Sequence, residues 1–368
     1  MTTAPRLTID LSALAENWQA LNAKSPDSET AAVVKANAYG LGIEHAVPAL
    51  GDAGCNTFFT AMVEEGVRVR KCLPDANIFI LNGIFSDTIG TAVEYGLAPV
   101  LSSLDQISIW SAMANGRPCA LHIDTGMNRL GLNMVEARKL AEDSARIKKS
   151  GAQLLMSHLA CGDDPDHPQN ASQLANFQEC VGLFPKLKPS FANSAAILSN
   201  PDTHFEMTRP GIAMYGGEAV NDVPNPMKPV VKSETRILQI RTSKKGDAVG
   251  YGAAHVLERD SKVAICSAGY ADGYHRASSG CGVPLRGANA KGGFGQLGAH
   301  KVPLIGRVSM DLTAFDVTDV PEDDLKNSSW IELFGPNILV DDAARACGTI
   351  GYELLTGLGS RYQREYLS

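Results

Sequence analysis

The sequence predicts an α/β chain in two parts. Residues 7–228 read as an eight-stranded (β/α)8, TIM-like barrel, and residues 229–368 as a mostly-β domain with residues 1–6 packed on it. Two observations carry that expectation. From about Leu7 to Gly216, short apolar runs alternate with amphipathic stretches, and eight strands alternating with helices is the number that closes a parallel barrel. After about Lys228 the helical stretches thin out, and strand-like runs follow one another across Gly, Asp and Asn turns. An open doubly wound sheet is the alternative for the first part.

The barrel strands read in order as TAAVVKA, TFFTAM, NIFILNG, APVLSS, CALHIDTG, AQLLMSHLA, PSFANS and MTRPGIAMYG. Short apolar runs between polar or small residues suit strands buried on both faces. Between them lie amphipathic stretches such as EEGVRVRKCL, DTIGTAVEYG, NMVEARKLAEDSARIKKSG and ASQLANFQECVGLF. EAVNDVPNPMKP is the expected linker. The second part offers VVKSETRILQIRTSKKGDAVGYG, SKVAICSAGYADG, KVPLIGRVSMDLTAFDVTDV and SWIELFG as strands, and one short helix around VDDAARACGTIGYELL closes it.

The 368 residues are 44% hydrophobic and 20% charged, an ordinary globular balance. A net charge of −7 gives no reason to expect nucleic acid or an anionic membrane as partner. Cysteines stand at 55, 72, 119, 161, 180, 266, 281 and 347 without a C-x-x-C pair, so they read as small core hydrophobes in a reducing compartment. No apolar run is long enough to span a bilayer, and the start lacks a basic region followed by an apolar one. A cytoplasmic protein is the expectation. His45 and His167 show no metal-ligand spacing with Asp or Cys, so no metal is assigned.

Lys35 interrupts this plain picture. It follows the apolar run AAVV at the carboxyl end of an early strand, where barrel enzymes place catalytic groups. One reading is a lysine snorkelling from a strand end. The other is a Schiff-base lysine, since an apolar setting depresses the amine's pKa and makes it a nucleophile.

The surrounding decapeptide VVKANAYGLG resembles the pyridoxal-phosphate (PLP) lysine motif of the alanine racemases. IDTGMNRLG (123–131), SHLACGDDP (157–165), ANSAA (192–196), TRPGIAMYG (208–216), GYGAAH (250–255), GYADGY (269–274), GRVSMD (306–311) and GYELL (351–355) resemble the same family, in order along nearly the whole chain. The resemblance implies a PLP enzyme of fold type III that interconverts L- and D-alanine and supplies D-alanine for peptidoglycan. It implies a head-to-tail homodimer whose β domain completes the other copy's site.

By the same matching, Lys35 is the Schiff-base lysine and the base for the D-enantiomer, and Tyr251 the base for the L-enantiomer. Without the resemblance, Tyr251 reads as a hairpin tyrosine. His158 and Arg209 match residues linked to that tyrosine. Arg209 also matches the arginine at the pyridine nitrogen, which in practice cannot give up its proton. Tyr39, Ser194, Gly211, Ile212 and Tyr352 match the phosphate pocket, with Asn193 beside them. Arg129 and the backbone of Met310 match the substrate-carboxylate site, and Tyr270 and Tyr274 the entrance.

Three positions depart from the family pattern. His122 stands where many members carry a carbamylated lysine, so a bound anion such as chloride or a hydrogen bond from neutral His122 is expected to orient Arg129. Ser190 replaces a histidine near the ring arginine, and Ser309 a cysteine. GFGQLG (293–298) satisfies G-x-G-x-x-G, but it lacks a preceding strand and a following helix and reads as a hairpin loop. The rival functions are a serine or broader-specificity racemase of the same fold and a non-catalytic PLP carrier. The carrier has no second β domain, which the run after Lys228 argues against.

Overall fold

The computed structural model describes residues 3–279 and 292–368; Cys281 and residues 1–2 lie outside the described residues. The chain divides into two compact units, residues 14–227 and residues 3–13 with 228–368.

The first unit is built on a parallel sheet of nine strand segments. Two of them, Glu29–Thr30 and Ala32–Val33, are halves of one strand interrupted at Ala31. Glu29–Thr30 pairs with Met207–Arg209, and Ala32–Val33 pairs with Thr57–Thr60. Ala31 N donates to Thr208 O and Val33 N to Pro210 O, so the ladder runs through the interruption and closes the barrel. The ring continues through Asn77–Ile80, Ala98–Leu101, Cys119–His122, Ala152–Met156 and Lys188–Asn193. Phe58, Phe59, Leu121, Leu155 and Phe191 are fully buried, as strands sandwiched between a barrel interior and a helical shell require.

Local chemistry sets the helix ends. NMVEARKLAEDSARIKKSG, read as one amphipathic stretch, forms two helices, Met134–Ala141 and Ser144–Ser150. Asn133 and Glu136 make a capping box for the first, and Asp143 caps the second through Arg146 N. The carboxylate therefore starts a new helix instead of extending the old one.

In the second unit an eight-stranded sheet centres on the long strand Val231–Ser243. Arg6–Asp10 lies antiparallel to it and parallel to the final strand Gln363–Leu367. Buried Glu234 is held by Arg6 at 2.5 Å and Lys232 at 2.8 Å. Two helices, Val340–Cys347 and Gly351–Thr356, replace the single closing helix expected. Gly348, at φ +71°, ends the first. GFGQLG is not the hairpin's loop but mostly its first strand: Phe294–Leu297 pairs antiparallel with His300–Ile305 and turns at Gly298.

Candidate active site

The strand expected to carry Lys35 ends at Val33, and Lys35 opens the turn Lys35–Tyr39. Ala36, Asn37, Ala38 and Tyr39 hold φ between +51° and +57°, one turn of left-handed helix without a glycine. Each such residue costs roughly 1–2 kcal/mol against its right-handed form. Backbone bonds from Ala38 N to Val34 O (2.9 Å) and Gly40 N to Ala36 O (2.8 Å) close the turn. Its last residue, Tyr39, is buried and stacked on Tyr215 at 4.4 Å. Tyr215 in turn donates to Val33 O at 3.0 Å.

Around this turn, the carboxyl ends of four other barrel strands deliver His122, His158, Asn193 with Ser194, and Arg209. That is the end at which parallel barrels assemble their chemistry. Asn193 caps the helix Ser194–Ser199 through Ala196 N. Ser194 Oγ accepts from Gly211 N (2.8 Å) and Ala213 N (3.3 Å). A Cβ at Gly211 would collide with the Tyr39 hydroxyl, so only glycine lets the ring come this close. Tyr39, Ser194, Gly211 and Ile212 thus converge on one turn, where hydroxyls and backbone amides suit a phosphate. The donor set fits the phosphate end of PLP.

Arg209 is buried and bonded only to neutral oxygens. Nη1 donates to Ser190 Oγ, and Nη2 to Ser157 O (2.6 Å) and Phe191 O (3.5 Å). Ser190, in the histidine's place, therefore holds the guanidinium and donates its own proton to Met207 O at 2.8 Å. Burial lowers the Arg209 pKa to about 10, which leaves it a cation at neutral pH.

Burial, and then the Arg129 cation, lower the Lys35 pKa, while Glu65 opposes them. A larger share of the amine is therefore unprotonated and able to attack a carbonyl or take a proton. Burial also pushes His158 well below its usual range, helped by Arg209, Arg129, Lys35 and His122. Burial, then Arg209 and Arg129, bring His122 down to about 4 against the pull of Asp124. Both imidazoles are neutral at pH 7, so His122 supplies no charge to Arg129. Arg129 itself is exposed, on a loop folded by Asp124 Oδ1, which accepts from Gly126, Met127 and Asn128 N. The field at this end of the barrel is dominated by Lys35, Arg129 and Arg209 and suits an anionic ligand.

His122 gives a stability prediction. Between about pH 6.5 and pH 4 the unfolded chain binds a proton that the folded chain refuses, so stability falls as pH drops through that window. The full loss is on the order of 3 kcal/mol. Urea midpoints should fall less steeply with acid in His122→Asn than in the original chain. Equal slopes would refute the assignment.

The remaining predicted residues lie on the second unit. Tyr251 opens a short turn and is 68% exposed. Gly252 packs against Arg307, which a Cβ would strike. Met310 is 53% and Tyr270 40% exposed, and their loops are tied by Tyr270 N to Ser309 O and Ala271 N to Met310 O, both 3.1 Å. Tyr274 is 3% exposed, inside the unit, so of the two tyrosines only Tyr270 is on the surface. Tyr352 sits near the start of Gly351–Thr356, about one-third exposed. Sequence reading passed over Glu65, whose carboxylate receives the Asn37 N–H at 3.0 Å. Its one signal was its place in the first turn of EEGVRVRKCL, where acids cap helices.

Residues 9–219 match the family described as alanine racemase, N-terminal domain, and residues 230–366 match alanine racemase, C-terminal domain. The chain is 52% identical over 365 residues to a biosynthetic alanine racemase of Agrobacterium fabrum, covering 98% of this chain and 93% of that protein. It is 51% identical over 370 residues to an alanine racemase of Rhizobium meliloti, covering 100% and 98%. A solved alanine racemase of Bartonella henselae, with covalently bound pyridoxal phosphate, superposes with a TM-score of 0.91 at 36% identity over 100% of both chains. With both domains matched and relatives this similar along its length, the chain belongs to the alanine racemase family.

Proposed function

We propose that this chain is a PLP-dependent racemase interconverting L- and D-alanine, with Lys35 and Tyr251 as its two bases. The observation that carries the reading is a lysine of lowered pKa on the same turn as Tyr39, which meets the phosphate-suited turn at Gly211. Tyr39, Asn193, Ser194, Gly211, Ile212 and Tyr352 would hold the phosphate, Lys35 the aldehyde and Arg209 the ring nitrogen. When bound, PLP supplies a carbonyl for the lysine and a ring that takes up charge released at Cα.

The chain's own residues do the rest. Lys35 takes or returns the Cα proton on one face, and Tyr251 does so on the other. A phenol has a reference pKa of about 10 and needs cationic surroundings to act as a base. Arg129 and Arg209 supply them, with neutral His158 as a hydrogen-bonding partner. Arg209 keeps its proton, so the ring nitrogen beside it stays unprotonated. That favours racemisation over competing reactions at some cost in electron withdrawal. Arg129 and the Met310 backbone bind the substrate carboxylate, and Tyr270, the exposed one of the two predicted entrance tyrosines, narrows the approach.

The active unit in this reading is a head-to-tail homodimer in the cytoplasm, feeding D-alanine to peptidoglycan. Its support is the exposure of Tyr251, Met310 and Tyr270 on one unit and of Arg129 and Leu130 on the other. No disulfide joins any two of the seven described cysteines, which suits a reducing compartment. Among the described residues no helix is long and apolar enough to cross a membrane.

The test is loss of optical rotation from L-alanine, L-serine and larger L-amino acids offered separately to the PLP-loaded protein. Alanine alone should racemise fast. Comparable rates on serine would move the reading to the broader-specificity racemase, and no rate on any would sink it. Mixing Lys35→Ala with Tyr251→Phe chains should restore activity at one site per heterodimer; verified heterodimers that stay inactive count against shared sites.

A further inference from the structure

The left-handed turn has no glycine to ease it, so something outside must hold it. Two clamps do. Asn37 N donates to Glu65 Oε1 at 3.0 Å, while Glu65 Oε2 accepts from Ala61 N at 3.0 Å and Met62 N at 3.3 Å. One carboxylate thus joins the turn to the start of the helix Val63–Cys72. Asn37 Oδ1 accepts from Arg68 Nη2 at 2.6 Å and from Ile43 N at 3.2 Å. Arg68 is itself fixed by Glu44, at 2.7 Å from each of two nitrogens. The second clamp is a side-chain contact on the turn. Glu65 instead takes up an amide of the turn itself, the Asn37 N–H.

That amide lies between Lys35 and Tyr39. Left-handed geometry from Ala36 to Tyr39 sets the span between the Lys35 amine and the Tyr39 hydroxyl. In the reading above, those two groups take opposite ends of one rigid cofactor. We infer that Glu65 is a positioning residue for PLP: its carboxylate holds the turn left-handed and so fixes the Lys35–Tyr39 span. This rests on the assignment of Lys35 and Tyr39 to the cofactor. Glutamine cannot replace the carboxylate, because both of its oxygens accept from N–H groups and an amide NH2 would face a donor.

The test compares the original chain with Glu65→Gln, Glu65→Ala and the control Glu64→Gln, which alters an exposed neighbouring carboxylate. Equilibrium PLP affinity is read from the visible absorbance of bound PLP. Amide hydrogen exchange is read on the PLP-free proteins. Both Glu65 variants should lose about tenfold or more in PLP affinity, the scale seen when a supporting residue is removed from a preorganised site. Exchange should quicken at residues 36–42 and 61–62 only, and the control should match the original chain. Unchanged affinity would overturn the inference. So would weaker affinity without faster exchange at the turn, or faster exchange spread through the barrel. If Glu65→Ala does not fold, Glu65→Gln decides alone. An original chain that binds no PLP would instead sink the functional reading, before any variant is compared.

Discussion

Lys35→Ala should cost racemase activity roughly 10⁴-fold or more, since it removes the cofactor's attachment point and one of two bases together. Borohydride reduction followed by mass spectrometry should find PLP on Lys35 in the original chain and none on the variant. The fold should survive. Among the described residues the Lys35 amine has no hydrogen-bond or ion-pair partner, and burial works against its charged form. Removing it should leave the melting temperature unchanged or slightly raised. Full activity in the variant would refute the assignment, and global unfolding would mean that the lysine also supports the turn.

Tyr251→Phe should lower racemisation by about 10²–10⁴-fold, the usual worth of one positioned acid–base group. The loss must be equal in both directions, because the two enantiomers have the same free energy and kcat/KM cannot fall for one alone. Proton exchange separates the two faces. In deuterated water, D-alanine should still exchange its Cα proton without inversion, because Lys35 takes and returns it on one face. L-alanine should exchange far more slowly. The two-base assignment fails if the variant racemises at the original rate, or if both enantiomers lose exchange alike. Tyr251 is 68% exposed on the chain and makes a turn rather than a core contact, so the change should barely affect stability.

Much of this was legible because it depends on short-range patterning. The apolar runs of the barrel strands announce themselves, and so does the lysine that interrupts the first of them. The Gly-Ile pair after Arg209 marks a turn on its own. What stayed hidden depends on partners distant in sequence. Ala-Asn-Ala-Tyr signals left-handed backbone only through its single Asn, and the holding carboxylate sits 28 positions from the amide it accepts. The split of the first strand follows from its having different neighbours on its two sides, Met207–Arg209 and Thr57–Thr60. The final strand, QREYL, alternates too weakly to stand out and is defined by pairing with Arg6–Asp10 at the other end of the sequence. Ser190 read as a departure from a pattern; only the fold places its hydroxyl on Arg209.

The left-handed turn also bears on the order in which the protein is assembled. A segment whose preferred conformation is right-handed cannot nucleate its native shape alone, so it must wait for the helix Val63–Cys72, which carries both Glu65 and Arg68, to dock. That helix comes later in the chain, after the helix Ile43–Asp52 and the strand Thr57–Thr60. A nascent chain that has emerged only as far as Gly42 therefore has its lysine but not its cofactor geometry. Cofactor geometry is thus the product of tertiary docking and not of the local sequence around the lysine.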